Sequence, residues 1–200
     1  MKTQIYKIDS DWTRIKNACR VTVNKEHTDI NPSSEFKTQL LISEHSPIRL
    51  IIVDWVWKNI KSWISVHWSR HKWECFISTQ RTDRTGIDRD LEPQGALVTF
   101  EGVANAQNLI DTMRKRLCFQ ASKETRQLAE DLKVKISYTE PELANVLVCN
   151  CIYRCGCPEF GNCTFWNSFK NKHYPFDLYD IKNRYKLYND YFYSNHEGSK

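Results

Sequence analysis

Arg70-His71-Lys72-Trp73-Glu74-Cys75-Phe76-Ile77-Ser78-Thr79-Gln80-Arg81-Thr82-Asp83-Arg84 is the stretch on which the reading of this 200-residue chain turns. Just upstream, Trp63, Val66 and Arg70 recur at spacings of three and four, with Ile64, His67 and His71 in a neighbouring stripe. That period predicts a helix over 61–72 and puts Arg70 and His71 in its last turn. A short strand is predicted over 75–78. Residues 81–94 are polar, carry Arg81, Arg84 and Arg89 with Gly86 and Pro93, and predict a mobile surface loop. Cations at a helix end have a plain use, because they complement the helix dipole. They also offer charge and donors to a phosphate. Ser78, Thr79, Gln80 and Arg81 read equally as an ordinary polar strand end or as a phosphate clamp of hydroxyls, backbone N–H groups and one guanidinium.

Towards the N-terminus, Ile48–Val56 is aliphatic and aromatic, as a largely buried strand is, and His45-Ser46-Pro47 opens it. Residues 26–44 carry turn chemistry centred on Asn31-Pro32-Ser33-Ser34, and 4–24 reads as a strand followed by a short helix. Towards the C-terminus, a strand over 96–100 precedes two helices. Ala106, Leu109, Ile110, Met113 and Leu117 stripe the first; Thr125, Leu128, Ala129 and Leu132 stripe the second. Glu140-Pro141 starts a last short helix. The tail over 174–200 is rich in tyrosine, which suits either packing on another subunit or coating the core. Strands and helices mixed in this order predict an α+β class, a mixed or antiparallel sheet flanked by helices. The length suits one domain over 1–200.

A hydrophobic content of 40% with 12% aromatics excludes a disordered chain. The net charge of +5 suits an anionic partner such as a nucleotide phosphate. The longest apolar run, 50–57, is interrupted by Asp54, and Met1-Lys2-Thr3-Gln4 leads into no apolar signal core. The expectation is therefore a cytoplasmic protein without membrane contact, whose eight cysteines are mostly reduced. Five of them, Cys149, Cys151, Cys155, Cys157 and Cys163, crowd into 149–163. Their C-x-C spacing is untypical of tetrahedral zinc, so thiols are the main reading and a structural metal the alternative.

Arg70-His71-Lys72 and the residues through Arg84 resemble the motif of the flavin-dependent thymidylate synthases, the ThyX family. That motif begins Arg-His-Arg and further on reaches a serine and an arginine that hold the nucleotide. The order Ser46-Pro47, strand, helix agrees with the family context. A second block, Asn105-Ala106-Gln107-Asn108-Leu109 to Arg114-Lys115-Arg116-Leu117-Cys118 and then Ala121-Ser122-Lys123-Glu124-Thr125-Arg126, is similar to the family's helix ending in an arginine followed by Ala-x-x-Glu-x-Arg. The signature blocks thus lie at 45–84 and 105–126, and the chain reads as a divergent member. Three departures stand out. Lys72 replaces an arginine, the motif's Asn-Glu pair is missing near Ile77 and Ser78, and Thr99 stands where a phosphate-binding arginine is expected.

The resemblance implies reductive C5 methylation of dUMP, with FAD as cofactor and NADPH and methylene-tetrahydrofolate as co-substrates. It implies a homotetramer with sites between subunits. His45, Ser46, Arg70, His71, Lys72 and Arg116 are implied as flavin contacts, with Arg114 the substitute if the register slips. His67, Ser78, Thr79, Gln80, Arg81, Arg84 and Arg126 are implied as nucleotide contacts. Arg126 is the catalytic candidate, since a guanidinium against the uracil carbonyl edge stabilises charge built up during attack from C5; its plain alternative is an ion pair with Glu130 one turn on. The departures keep UMP or dCMP open as substrates, with a methyl or a hydroxymethyl product. From another class, a zinc-stabilised nucleic-acid binder would use the basic loop and the tryptophans.

Overall fold

The computed structural model describes residues 3–161 and 163–196. Its sheet is built on two long strands. β2 (Ile52–Lys61) pairs antiparallel with β4 (Leu97–Asn105), with β1 (Thr3–Asp9) on the outer side of β2 and β3 (Glu74–Ile77) on the outer side of β4. The order β1-β2-β4-β3 is antiparallel throughout. On β4, Val98, Phe100, Gly102 and Ala104 alternate inward, and on β2 Val53, Trp55 and Trp57 do the same. These residues are directly paired, Val53 with Ala104, Trp55 with Gly102 and Trp57 with Phe100, so a single face of the sheet carries the core. Gly102 is required there: a Cβ would lie 2.4 Å from Trp55 Cζ2.

Helices close over that face. α1 (Trp12–Val21) is N-capped by Asp11, and α2 (Ser34–Ile42) by Ser33, whose Oγ accepts from the Phe36 N–H. A 3₁₀ helix (Ser46–Leu50) then leads into β2. α3 (Ser62–Ser69) follows β2 directly, and the exposed four-residue α4 (Thr82–Thr85) lies in the loop after β3. α5 (Ala106–Arg116) is N-capped by Asn105, and α6 (Lys123–Ser137) carries the longest buried stripe. α7 (Pro141–Val146), α8 (Asn150–Arg154), α9 (Phe165–Lys172) and α10 (Ile181–Ser194) complete the described chain.

The stripes predicted on α5 and α6 are buried as expected, and the α+β class with an antiparallel sheet is what the chain forms. Three boundaries are corrected. The 26–44 segment contains α2, because Ser33 caps a helix rather than closing a turn. The strand expected from Ile48 begins at Ile52, after the 3₁₀ turn that Pro47 starts. The helix expected to reach Lys72 stops at Ser69, so Arg70 is its C-cap and His71 and Lys72 lie beyond it. Val66 is exposed, whereas Ile64, Ser65 and Trp68 form the buried face.

The α10 part of the tyrosine-rich tail coats the core, whereas Tyr174, Phe176 and Tyr179 ahead of it are exposed. Tyr185, Tyr188 and Phe192 recur at spacings of three and four on α10 and are buried. Two buried cations rivet the tail in place. Lys133 Nζ donates to Ala144 O at 2.6 Å, Leu147 O at 2.9 Å and Asn189 Oδ1 at 2.7 Å, joining α6, α7 and α10. Arg184 donates to the carbonyls of Ile152 at 2.5 Å and Tyr153 at 3.1 Å, clamping α10 to α8. No helix among the described residues is long and apolar enough to cross a membrane.

Candidate functional site

The end of α3 and the end of α5 meet because both helices pack on β4; Arg70 caps the first, and Arg114, Lys115 and Arg116 fill the last turn of the second. Arg116, the last residue of α5, donates from Nε to His71 Nε2 at 2.9 Å and from Nη2 to His67 O at 2.6 Å. Since Nε2 accepts, the neutral ring carries its proton on Nδ1. Burial, together with the nearby Arg116 and Lys115 charges, pushes the His71 pKa down to about 4. His67 is also lowered, by burial and then by Arg116 and Arg70. Its Nδ1 lies 3.0 Å from Thr125 Oγ1, which also accepts from Ser122 Oγ at 2.7 Å. One hydrogen-bonded chain therefore runs from the first signature block, through Arg116, to the start of α6. The Trp68 and Trp73 rings, stacked with centroids 5.7 Å apart, form its floor.

Beside this network lies a groove of about 380 Å³. Arg70, His71 and Lys72 form one wall, Asn108, Asp111, Thr112, Arg114 and Lys115 of α5 the base, and Asn150, Tyr153 and Arg154 of α8 the other wall. The Arg114 guanidinium sits 3.5 Å over the Tyr153 ring and is neutralised by Asp111 at 2.9 Å and by Glu44. Glu44 also accepts from Gln107 Nε2 at 2.6 Å, so the turn before His45 is tied to α5. The groove is concave and rich in donors, with a surplus of positive charge; phosphate oxygens fit such a place. The three cations closing α5 were visible in the sequence. The α8 wall was not, because only tertiary packing carries it across to α5.

The other expected site residues lie apart from the groove. Arg126 Nε is 3.1 Å from Glu130 Oε1, and its guanidinium lies 4.5 Å over Phe119; the plain ion-pair alternative is the contact formed. It nonetheless adjoins Thr125, the last member of the histidine chain. Ser78 extends the β3–β4 ladder, its N–H donating to Thr99 O and its Oγ accepting from Thr99 N, each at 2.9 Å. Gln80 faces Ser62 at 3.5 Å, and Thr79 Oγ1 accepts from Arg81 N at 3.1 Å. Arg81 makes a two-pronged pair with Asp83, which Arg84 also approaches at 3.9 Å.

His45 and Ser46 line a separate cleft of about 490 Å³ with Cys19, Phe36 and Pro47. Ser46 is the first residue of the 3₁₀ helix, and His45 occupies the cap position without a side-chain bond. Cys149 and Cys151 are buried with their sulfurs 3.5 Å apart, and Cys155 Sγ lies 3.4 Å from Leu178 O. Cys157 is exposed and Cys163 half-buried. Among the described residues no three His, Cys, Asp or Glu side chains converge as metal ligands would.

The α+β chain with its antiparallel four-stranded sheet has a ThyX-like fold, by its likeness to solved structures. Solved structures carry the comparison further. The chain is similar to the flavin-dependent thymidylate synthase ThyX of Helicobacter pylori complexed with FAD and dUMP, at 13% identity and a TM-score of 0.56, covering 69% of this chain and 97% of that one. A second Helicobacter pylori ThyX structure with FAD and dUMP gives 12% identity and 0.60 over 74% and 99% of the two chains. The UMP/dUMP methylase PolB of Streptomyces cacaoi, bound with 5-Br dUMP, gives 13% and 0.58 over 72% and 93%. At these identities the likeness is one of fold. No family model matches the sequence, and no curated protein matches it.

Proposed function

We propose that this chain is a flavin-dependent enzyme of the thymidylate synthase type, which methylates C5 of a pyrimidine nucleotide, dUMP. The observation that carries the reading is the His71–Arg116–His67–Thr125 chain beside the basic groove, on a fold shared with FAD- and dUMP-binding proteins. Methylene-tetrahydrofolate would give the carbon and NADPH the reducing equivalents, which bound FAD would pass on. Arg70, His71 and Lys72 fit the cofactor's phosphates, because the groove they line is open, concave and positively charged.

A guanidinium against the uracil carbonyls lowers the barrier as negative charge gathers there. Arg116 suits that work best: half-buried, it is oriented by two hydrogen bonds that leave its Nη1 without a described partner. Arg126 remains the second candidate; a nucleotide would have to draw it from Glu130. His67 and Ser78 to Arg84 would contact the nucleotide, His45 and Ser46 the flavin. A homotetramer would bring the His45 cleft of one protomer towards the groove of another, and a cytoplasmic setting supplies all the reactants.

PolB's likeness supports UMP as the second reading, and Thr99 in place of an arginine keeps dCMP open beside it. The nucleic-acid reading fares worse: Trp55, Trp57 and Trp68 are buried and cannot stack on bases, and Arg81 and Arg84 lean on Asp83. Purified protein is expected to take up FAD, with its visible absorption band, and to release tritium from C5-labelled dUMP. Arg116→Ala is expected to lower turnover at least a hundredfold while FAD still binds. A protein that binds no flavin overturns the reading; release from dCMP or UMP alone moves it to the second one.

A further inference from the structure

α8 holds a pair of thiols that the groove and the histidine chain leave unused. Cys149 caps the helix and Cys151 lies in its first turn, with their sulfurs 3.5 Å apart. Both sit in the apolar cluster, Cys149 at 0% exposure and Cys151 at 6%. Their main chain is fixed. Cys149 O accepts from the Ile152 and Tyr153 N–H groups at 3.1 Å each, and Cys151 O accepts from the Gly156 N–H at 3.0 Å. The Cys149 side chain makes no capping bond, and its sulfur turns to Cys151 instead.

A disulfide bond holds its sulfurs about 2 Å apart, and rotation of two neighbouring side chains can cover the difference while the main chain stays in place. The ring so formed would enclose a single intervening residue, Asn150. So short a ring restrains the unfolded chain little. The bond would therefore add little stability and open readily to a reductant. Asn150 lines the groove, and its Oδ1 accepts from Arg154 Nε at 3.1 Å. Drawing the sulfurs together on either side of Asn150 turns it and loosens its hold on Arg154. Cys118 is the rival partner, since it lies within electrostatic reach of Cys151 and Cys163.

From this geometry we infer that Cys149 and Cys151 are a redox modification site, a dithiol that peroxide closes to a disulfide, and that closure turns Asn150 and shifts the α8 wall. The step balances with hydrogen peroxide as oxidant. One sulfur, as thiolate, attacks peroxide, breaks its O–O bond and becomes a sulfenic acid, with hydroxide leaving. The second sulfur then attacks the first, forms the S–S bond and expels the sulfenic oxygen, which leaves as water. In sum two thiols and one peroxide give one disulfide and two waters. The Cys151 thiol is pushed up, first by its hydrogen bond with Cys149 and then by burial, so the first step is slow. The second is fast, because the resolving sulfur is already in contact. The inference stands apart from the enzyme reading and survives its failure.

The test begins with the native whole chain, whose accessible thiols are blocked with iodoacetamide. Exposed Cys157 is expected to be alkylated, and Cys149 and Cys151 to be spared. Hydrogen peroxide is then added, and unreduced peptides are mapped by mass spectrometry. The expected product is one peptide in which Cys149 and Cys151 have together lost a pair of hydrogens, restored by dithiothreitol. Cys157→Ser is expected to close as the wild type does. Cys149→Ser and Cys151→Ser are each expected to leave the remaining sulfur as a sulfenic acid that dimedone traps; the wild-type map decides the matter whether or not these two fold. In nitrogen-resolved NMR the Asn150 amide and Arg154 Nε–H signals are expected to move on oxidation and to return on reduction. A pair that stays reduced while other cysteines oxidise overturns the inference, as does a disulfide from either sulfur to Cys118 or Cys163. Closure that leaves the Asn150 and Arg154 signals in place overturns the link to the groove wall.

Discussion

His71 and Lys133 each give this protein a distinct response to pH. His71 is unprotonated down to about pH 4 in the folded chain, against an ordinary value of 6.5. Between those values the unfolded chain binds a proton that the folded chain refuses, so stability falls as pH drops from 6.5 to 4. Denaturant midpoints at pH 7 and pH 4.5 are expected to show this loss, and His71→Gln to reduce it. Lys133, fully buried, has its pKa lowered by burial from 10.5 to about 7, while three oxygens receive its three N–H groups. From pH 7 to 10.5 the unfolded chain holds a proton that the folded chain releases, so the wild type gains stability as pH rises through that window. Lys133→Met is expected to abolish the gain. It is also expected to cost about 2–4 kcal/mol at neutral pH, because two carbonyls and Asn189 Oδ1 lose their donor. Urea unfolding of both proteins across pH 7 to 10 decides the matter.

At the scale of elements, α5 is the part through which fold and site are joined, since its N-cap sits on β4 and its last turn carries Arg114, Lys115 and Arg116. Asn105→Ala removes the bond to Asn108 N and is expected to cost about 1 kcal/mol, seen as a lower melting temperature. Gly102→Ala is expected to be harsher, about 3 kcal/mol, because the new methyl meets the Trp55 ring and β2 cannot retreat from β4. The stripes of α5 and α6 were legible because their apolar positions follow the helical period without interruption. In α3 tryptophans occur on more than one side, so the period pointed to Val66 and missed Trp68. Ser33 was misleading for a different reason: serine after proline serves turns and helix starts alike. Within the site, the basic runs at 70–72 and 114–116 could be read directly. The part played by Asn150, Tyr153 and Arg154 could not, since no local pattern tells which helix a short segment will face.

For the molecule as a whole, one continuous apolar cluster runs from Trp12 to Phe192 and includes residues of nearly every element. Tryptophan fluorescence and far-ultraviolet dichroism are therefore expected to report the same midpoint on urea unfolding, as a single cooperative domain requires. Two separated transitions would instead divide the chain into units. The excess of positive charge is concentrated at the groove, so added salt should weaken anion binding while leaving the melting temperature nearly unchanged. The riveting of α10 by Lys133 and Arg184 also bears on how the chain is made. Lys133 lacks Asn189 and its aromatic cover, and Arg184 is itself missing, until α10 has emerged from the ribosome. A nascent chain halted short of α10 would hold the sheet and its first helices in a loosened state, a natural client for chaperones and proteases, and would set into its final form only when that helix locked down.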